Sequence, residues 1–155
     1  MKRIRIIVVG RVRAPYWRAA AEEYQKRLGR VYRLDETIIK DGDASLAADD
    51  RNRVEGERIL AALGVGEDAL RLDERGRMMD SPSFARYLER FFDTGRTPCF
   101  ILGGAYGFSP AVSEKVREAV SLGPMTFPHE LARVLLLEQL YRADSILRGG
   151  PYHHG

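Results

Sequence analysis

The chain ends in LRGGPYHHG, Leu147 to Gly155, so two of its three histidines and one of its seven tyrosines fall in the last four residues. An imidazole takes up or gives away a proton near neutral pH, and a phenol holds a hydrogen bond at an apolar boundary. Termini usually fray, so Tyr152, His153 and His154 are either an inert remnant or a tail tied down over a site. Within the preceding helical stretch Glu138 and Arg142 lie one turn apart. On a surface such a pair contributes a few tenths of a kcal/mol. Buried, it is costly unless its charges are used. Carboxylate, guanidinium, phenol and imidazole together suffice to move a proton and to grip a carbonyl or a phosphate.

A second group is CFILGGAYGFSP, Cys99 to Pro110. An apolar run enters Gly103-Gly104, Gly107 follows, and Ser109-Pro110 opens a helix. Glycine lets a backbone approach a ligand closely, and ligands of open α/β sheets lie beyond the C-terminal ends of strands. No Lys follows, so this is not a P-loop, and the spacing is not Gly-x-Gly-x-x-Gly. There is no Gly-x-Ser-x-Gly elbow. A tight connection without a ligand fits the spacing equally well. Ser121 to Phe127, SLGPMTF, is too rich in Gly and Pro for a plain strand. It reads as a backbone loop beside the glycine turn or as a simple turn. His129 follows Pro128 at a helix start, where a lone His is more often a cap than a catalyst. No Cys/His spacing suits zinc, and the single Cys99 allows no intrachain disulfide. Neither a metal nor an oxidising compartment is expected, and the cytoplasm is the expected location.

These groups need a scaffold. IRIIVVG (4–10) reads as a strand, and Pro15 opens a helix with Trp17, Ala20, Ala21, Tyr24 and Leu28 at helical spacing. Val31 to Lys40 reads as a second strand, 41–52 as a polar loop, and 51–63 as a helix. DALRLDE is a third strand, ending in Leu72-Asp73. Ser81 is expected to cap the helix that begins SPSFARYL. TPCFILGG is uniformly apolar, as a buried parallel strand is. A last helix runs from His129 or Glu130 to Arg148. Alternating strands and helices predict one α/β domain over residues 1–155 with helices on both faces of the sheet. The last helix is apolar nearly all round, from Leu131 through Leu147, which predicts burial on every side. A second copy of the chain would complete that burial.

At 155 residues the chain suits one domain, and no apolar run approaches the roughly 20 residues of a membrane span. The net charge is a mild +3, and of 25 basic residues only four are Lys. Arginine forks onto phosphate and stacks on bases. Arg3, Arg5, Arg11, Arg13 and Arg18 crowd one end of the chain.

FILGGAYGFSPAV, VSLGPMTFPHELARVLLLEQLYRADSI and the terminal PYHH together resemble the ribosomal RNA large subunit methyltransferase H family, along the whole chain and in the same order. The resemblance implies a SPOUT-type α/β sheet with a C-terminal trefoil knot and S-adenosyl-L-methionine as methyl donor. It implies a homodimer acting on N3 of a pseudouridine in 23S rRNA, within an assembled ribosome. Leu72, Gly103, Gly104, Leu122, Gly123, Pro124, Met125, Thr126 and Phe127 would enclose the donor. Glu138, Arg142, Tyr152 and His153 would be catalytic, with Glu138 or His153 taking the proton. His129 and His154 would meet the substrate, although position 154 often carries Lys or Arg in that family. A nucleotide-binding regulator without chemistry and a structural ribosomal protein are the competing readings, and only the enzyme requires S-adenosylmethionine.

Overall fold

The computed structural model describes residues Met1–Gly155. Five strands and five helices alternate along the chain: β1 (Arg3–Val9), α1 (Pro15–Leu28), β2 (Arg33–Ile39), α2 (Ala48–Ala62), β3 (Glu67–Met78), α3 (Ser81–Asp93), β4 (Thr97–Leu102), α4 (Pro110–Lys115), β5 (Ala119–Ser121) and α5 (His129–Arg148). All strand pairs are parallel, in the order β2-β1-β4-β3-β5.

The alternation of side chains along β1 divides the core. Ile4, Ile6 and Val8 join Phe84, Leu88, Leu136, Leu137 and Leu140 on the face covered by α1, α3 and α5. Ile7 and Val9 join Ile59, Val112 and Val116 beneath α2 and α4. β4 lies between β1 and β3 and is buried on both faces, which is why it carries no polar side chain beyond Thr97. Burial in this strand pushes the Cys99 thiol up to about 12.

The helix starts follow local chemistry, with one correction. Ser109 caps α4 and accepts from Val112 N. At α3 the cap is Asp80, whose Oδ1 accepts from Ser83 N at 2.8 Å. Ser81 instead occupies the first turn and donates to Gln139 Oε1 of α5 at 2.7 Å. Residues 48–50, expected in the loop before the helix of 51–63, already belong to α2.

β3 is longer than its pattern predicts. Leu72 and Arg77 both pair with Val120, so Asp73 to Gly76 bulge out of the ladder. Gly76 then crosses β5 so closely that a Cβ there would stand 2.6 Å from the Ala119 carbonyl carbon. Only glycine fits.

No residue of α5 from Glu130 to Leu147 is fully exposed. The sheet lies beneath it and α1 and α3 flank it. The all-round apolar character from which a second copy was expected is therefore satisfied largely inside one chain. Leu131, Ala132, Leu135, Tyr141, Ile146 and Leu147 remain half-buried.

Candidate active site

The C-terminal ends of β4 and β5 and the bulge of β3 converge on a cleft of about 510 Å³. One wall is Leu72 to Arg75, the second Leu102 to Phe108, and the third Leu122, Gly123 and Met125 to Phe127, with His129 and Ala132 of α5 closing the end. Of the residues expected around a donor, Leu72, Gly103, Gly104, Leu122, Gly123, Met125, Thr126 and Phe127 line this cleft; Pro124 is exposed and does not.

The glycine turn is held from behind. A Cβ on Gly103 would stand 2.9 Å from Gly107 O, and one on Gly104 2.7 Å from Glu55 Oε1. Glu55, on α2, is buried and accepts from Gly42 N at 2.8 Å. Asn52 Nδ2 donates to Tyr106 O at 2.9 Å. Thus α2 braces the turn, a long-range arrangement that no local motif signals. Gly107, with φ +76°, closes the turn in a conformation that side chains disfavour.

The other walls are tied to each other. Thr126 Oγ1 donates to Glu74 Oε2 at 2.8 Å, and Gly123 N donates to Ser121 Oγ at 2.9 Å. Asp73 accepts from Arg71 Nη1 at 2.7 Å and from Arg75 N at 3.0 Å. Burial pushes the Asp73 carboxyl upward, but the Arg75 hydrogen bonds and the two guanidinium charges outweigh it and hold it below the usual carboxylate range. Sequence spacing gives no signal for Glu74 and Asp73 at the site, because the bulge that presents them depends on pairing with β5.

The tail forms a separate cluster. Gly149, with φ +69°, ends α5 in the left-handed conformation, and Gly150 N donates to Ser145 O at 2.7 Å. The chain turns back, and the Tyr152 ring lies 4.8 Å from that of Tyr141. Arg142 donates to Glu138 Oε1 through Nε (3.0 Å) and Nη2 (2.7 Å). Its Nη1 stands 3.0 Å from His153 Nδ1. A guanidinium only donates, so Nδ1 accepts and the neutral imidazole carries its proton on Nε2. Tyr152 OH donates to Glu138 Oε1 at 3.2 Å and is 3.4 Å from Tyr24 OH. Burial, the hydrogen bond with Tyr24 and the Glu138 charge raise the Tyr152 hydroxyl well above the ordinary tyrosine value, so it stays protonated. Gln139 Nε2 donates to the remaining oxygen of Glu138 at 2.7 Å.

Glu138, Arg142, Tyr152 and His153 are thus brought together, but none of them lines the cleft. His129 does, about 20 Å along α5 from Arg142 at 1.5 Å per residue. His154 is exposed and makes no hydrogen bond or ion pair. Each chain carries a cleft and a tail cluster on one helix, apart from each other. No group of His, Cys, Asp and Glu is disposed to hold a metal ion, and no helix is long and apolar enough to cross a membrane.

Comparison with known proteins gives the chemistry a frame. The family described as "Predicted SPOUT methyltransferase" matches residues 1–153. The ribosomal RNA large subunit methyltransferase H of Nitratidesulfovibrio vulgaris (strain DP4) is 52% identical, over 99% of both chains. The protein of the same name from Lawsonia intracellularis is 51% identical over 99% of this chain and 98% of its own. The solved structure of a probable methylase family protein from Haemophilus influenzae Rd KW20 superposes with TM-score 0.53 at 12% identity, over 98% of this chain and 70% of that one. That last likeness is one of fold.

Proposed function

The chain belongs to the SPOUT methyltransferase family, and from that premise we propose that it transfers a methyl group from S-adenosylmethionine to N3 of a pseudouridine in large-subunit ribosomal RNA, as a homodimer on the assembled ribosome. The observation that carries this reading is the cleft where β4 and β5 end beside the bulge of β3, walled by backbone turns and apolar side chains.

The residues present fit the donor. The cleft's volume is in the range of small-molecule sites. Glycine at 103 and 104 leaves backbone as its wall there, while Leu72, Leu102, Leu122 and Phe127 supply apolar surface, and the carboxylates of Asp73 and Glu74 stand beside Arg75. Bound there, S-adenosylmethionine supplies a methyl group on a positively charged sulfur, open to attack by a nitrogen. The rest of the task falls to this chain's own groups. N3 of a uracil-like ring must lose its proton before it attacks well, and the ring must be held in line.

The tail cluster suits both needs. Glu138 is fully occupied by Arg142, Tyr152 and Gln139. It acts as the anchor that orients Arg142 and the Tyr152 hydroxyl. When Arg142 Nη1 turns to a ring carbonyl or a phosphate, His153 Nδ1 is released to take the N3 proton. In a two-fold dimer this tail cluster, which lies off its own cleft, completes the partner's. This is the support for a homodimer, in place of the apolar face of α5. His129, at the cleft, faces the incoming substrate. The same reading, carried by the family match, threads the C-terminal segment in a trefoil knot.

Calorimetry with S-adenosylmethionine, followed by transfer of a labelled methyl group to ribosomes from cells lacking the gene, tests the reading. Donor binding and one new methyl group per large subunit are expected. Absence of either result refutes it.

A further inference from the structure

A second cleft of about 470 Å³ shares Gly104, Ala105 and His129 with the donor cleft and opens between the loops after β1 and β2. Arg11, Arg13, Lys40 and Arg51 line it, against Asp41, Asp43 and Glu130. The acids are already engaged. Asp41 meets Arg51 at 3.7 Å and Arg13 at 3.6 Å, Asp43 accepts from Ser45 N and Oγ, and Glu130 accepts from the backbone N–H groups of Arg13 and Ala14. The cations are less so. The side chains of Arg11 and Lys40 make no hydrogen bond or ion pair, both residues are exposed, and the Arg13 side chain is 79% exposed.

The arginines crowded near the N-terminus divide here. Arg3 and Arg5 are paired with Asp35 and Glu67, and Arg18 donates to Val12 O. Arg11 is left without a partner at the cleft, and Arg13 holds only an exposed ion pair with Asp41 at 3.6 Å. Tyr106 lines the donor cleft next to the shared Ala105 and is 56% exposed, and the guanidinium of Arg51, which lines the second cleft, stands 5.7 Å from its ring. A large exposed aromatic offers a flat face to a base, and the exposed guanidinium and ammonium groups of the adjoining cleft offer partners to phosphate.

We infer that this cleft seats the RNA strand flanking the target nucleotide, with Arg11, Arg13 and Lys40 on its phosphates and Tyr106 stacked against one base. The inference rests on the proposed rRNA substrate and adds the surface that receives it. The strand then leads past Gly104 and His129 to the donor cleft, so one surface sets both affinity and register.

The test uses the full-length protein and ribosomes from cells lacking the gene, measuring ribosome binding and methyl transfer separately. For Arg11→Ala/Arg13→Ala, KM and the binding constant for ribosomes should rise about tenfold or more. The slope of binding against log salt should fall by about one for each phosphate that is no longer neutralised. Donor Kd and melting temperature should stay unchanged. Tyr106→Ala should weaken ribosome binding about tenfold, and Tyr106→Trp should restore it. Unchanged ribosome binding in the double variant overturns the inference. So does a shift of the monomer–dimer equilibrium with ribosome binding intact, which would make the cleft an interface between copies. If wild type binds ribosomes through Arg11 and Arg13 but transfers no methyl group, the inference stands and the proposed reaction fails.

Discussion

Arg142 has three nitrogens committed, two to Glu138 and one to His153. These use three of its five N–H donors, and a substrate group that draws Nη1 from its present partner couples grip to the release of His153. Arg142→Ala should therefore lower turnover at least about a hundredfold while leaving donor Kd within about threefold, because it removes positioning and acid–base control together. Equal losses in both, read by single-turnover transfer and by calorimetry, would contradict the assignment. Asp73 has the opposite character, a carboxylate held below its usual range inside the cleft wall. Its contribution to stability is present above the ordinary carboxylate value and is lost as pH falls through the lowered one. Donor affinity should weaken only on the acid side of the ordinary carboxylate range, and Asp73→Asn should weaken it already at neutral pH while flattening that acid-side dependence.

The elements that carry these residues are held by a few close approaches. Gly76 is the tightest against backbone, with no room for a Cβ beside the Ala119 carbonyl. Gly76→Ala should cost about 1–3 kcal/mol through overpacking, a fall in melting temperature of roughly 5 °C for a domain of this size. Since the bulge Asp73–Gly76 forms part of the cleft, donor affinity should fall too. Gly66→Ala serves as the comparison, since nothing lies within 4 Å of its Cβ position, although its φ of +80° adds strain of its own. A Gly76→Ala protein as stable as wild type would refute the packing argument. What the sequence reveals at this scale follows from locality. β4 is legible because a strand covered on both faces must be apolar throughout, and α4 because Ser-Pro is a local start signal. Asp80 is hidden as a cap because Ser81 beside it is an equally good one by type, and only the pull of Ser81 toward Gln139 decides between them. Glu55 under Gly104 and the β3 bulge depend on neighbours across the sheet, which no short spacing records.

At the scale of the molecule, the half-sites lie apart on α5: a cleft with His129 at its start, a tail cluster around Arg142 beyond its middle. Composition and helical pattern describe both but say nothing of their separation, since residues near in sequence along a helix can serve different sites. The proposed homodimer joins one chain's cleft to the other's tail. The most direct test mixes two inactive proteins, Gly104→Val with a blocked cleft and Arg142→Ala with a defective tail, after dissociation and reassembly. If each site draws on two chains, half of the dimers are mixed and each mixed dimer has one intact site, so methyl transfer should return to about a quarter of wild type. A mixture no more active than either parent would contradict the account.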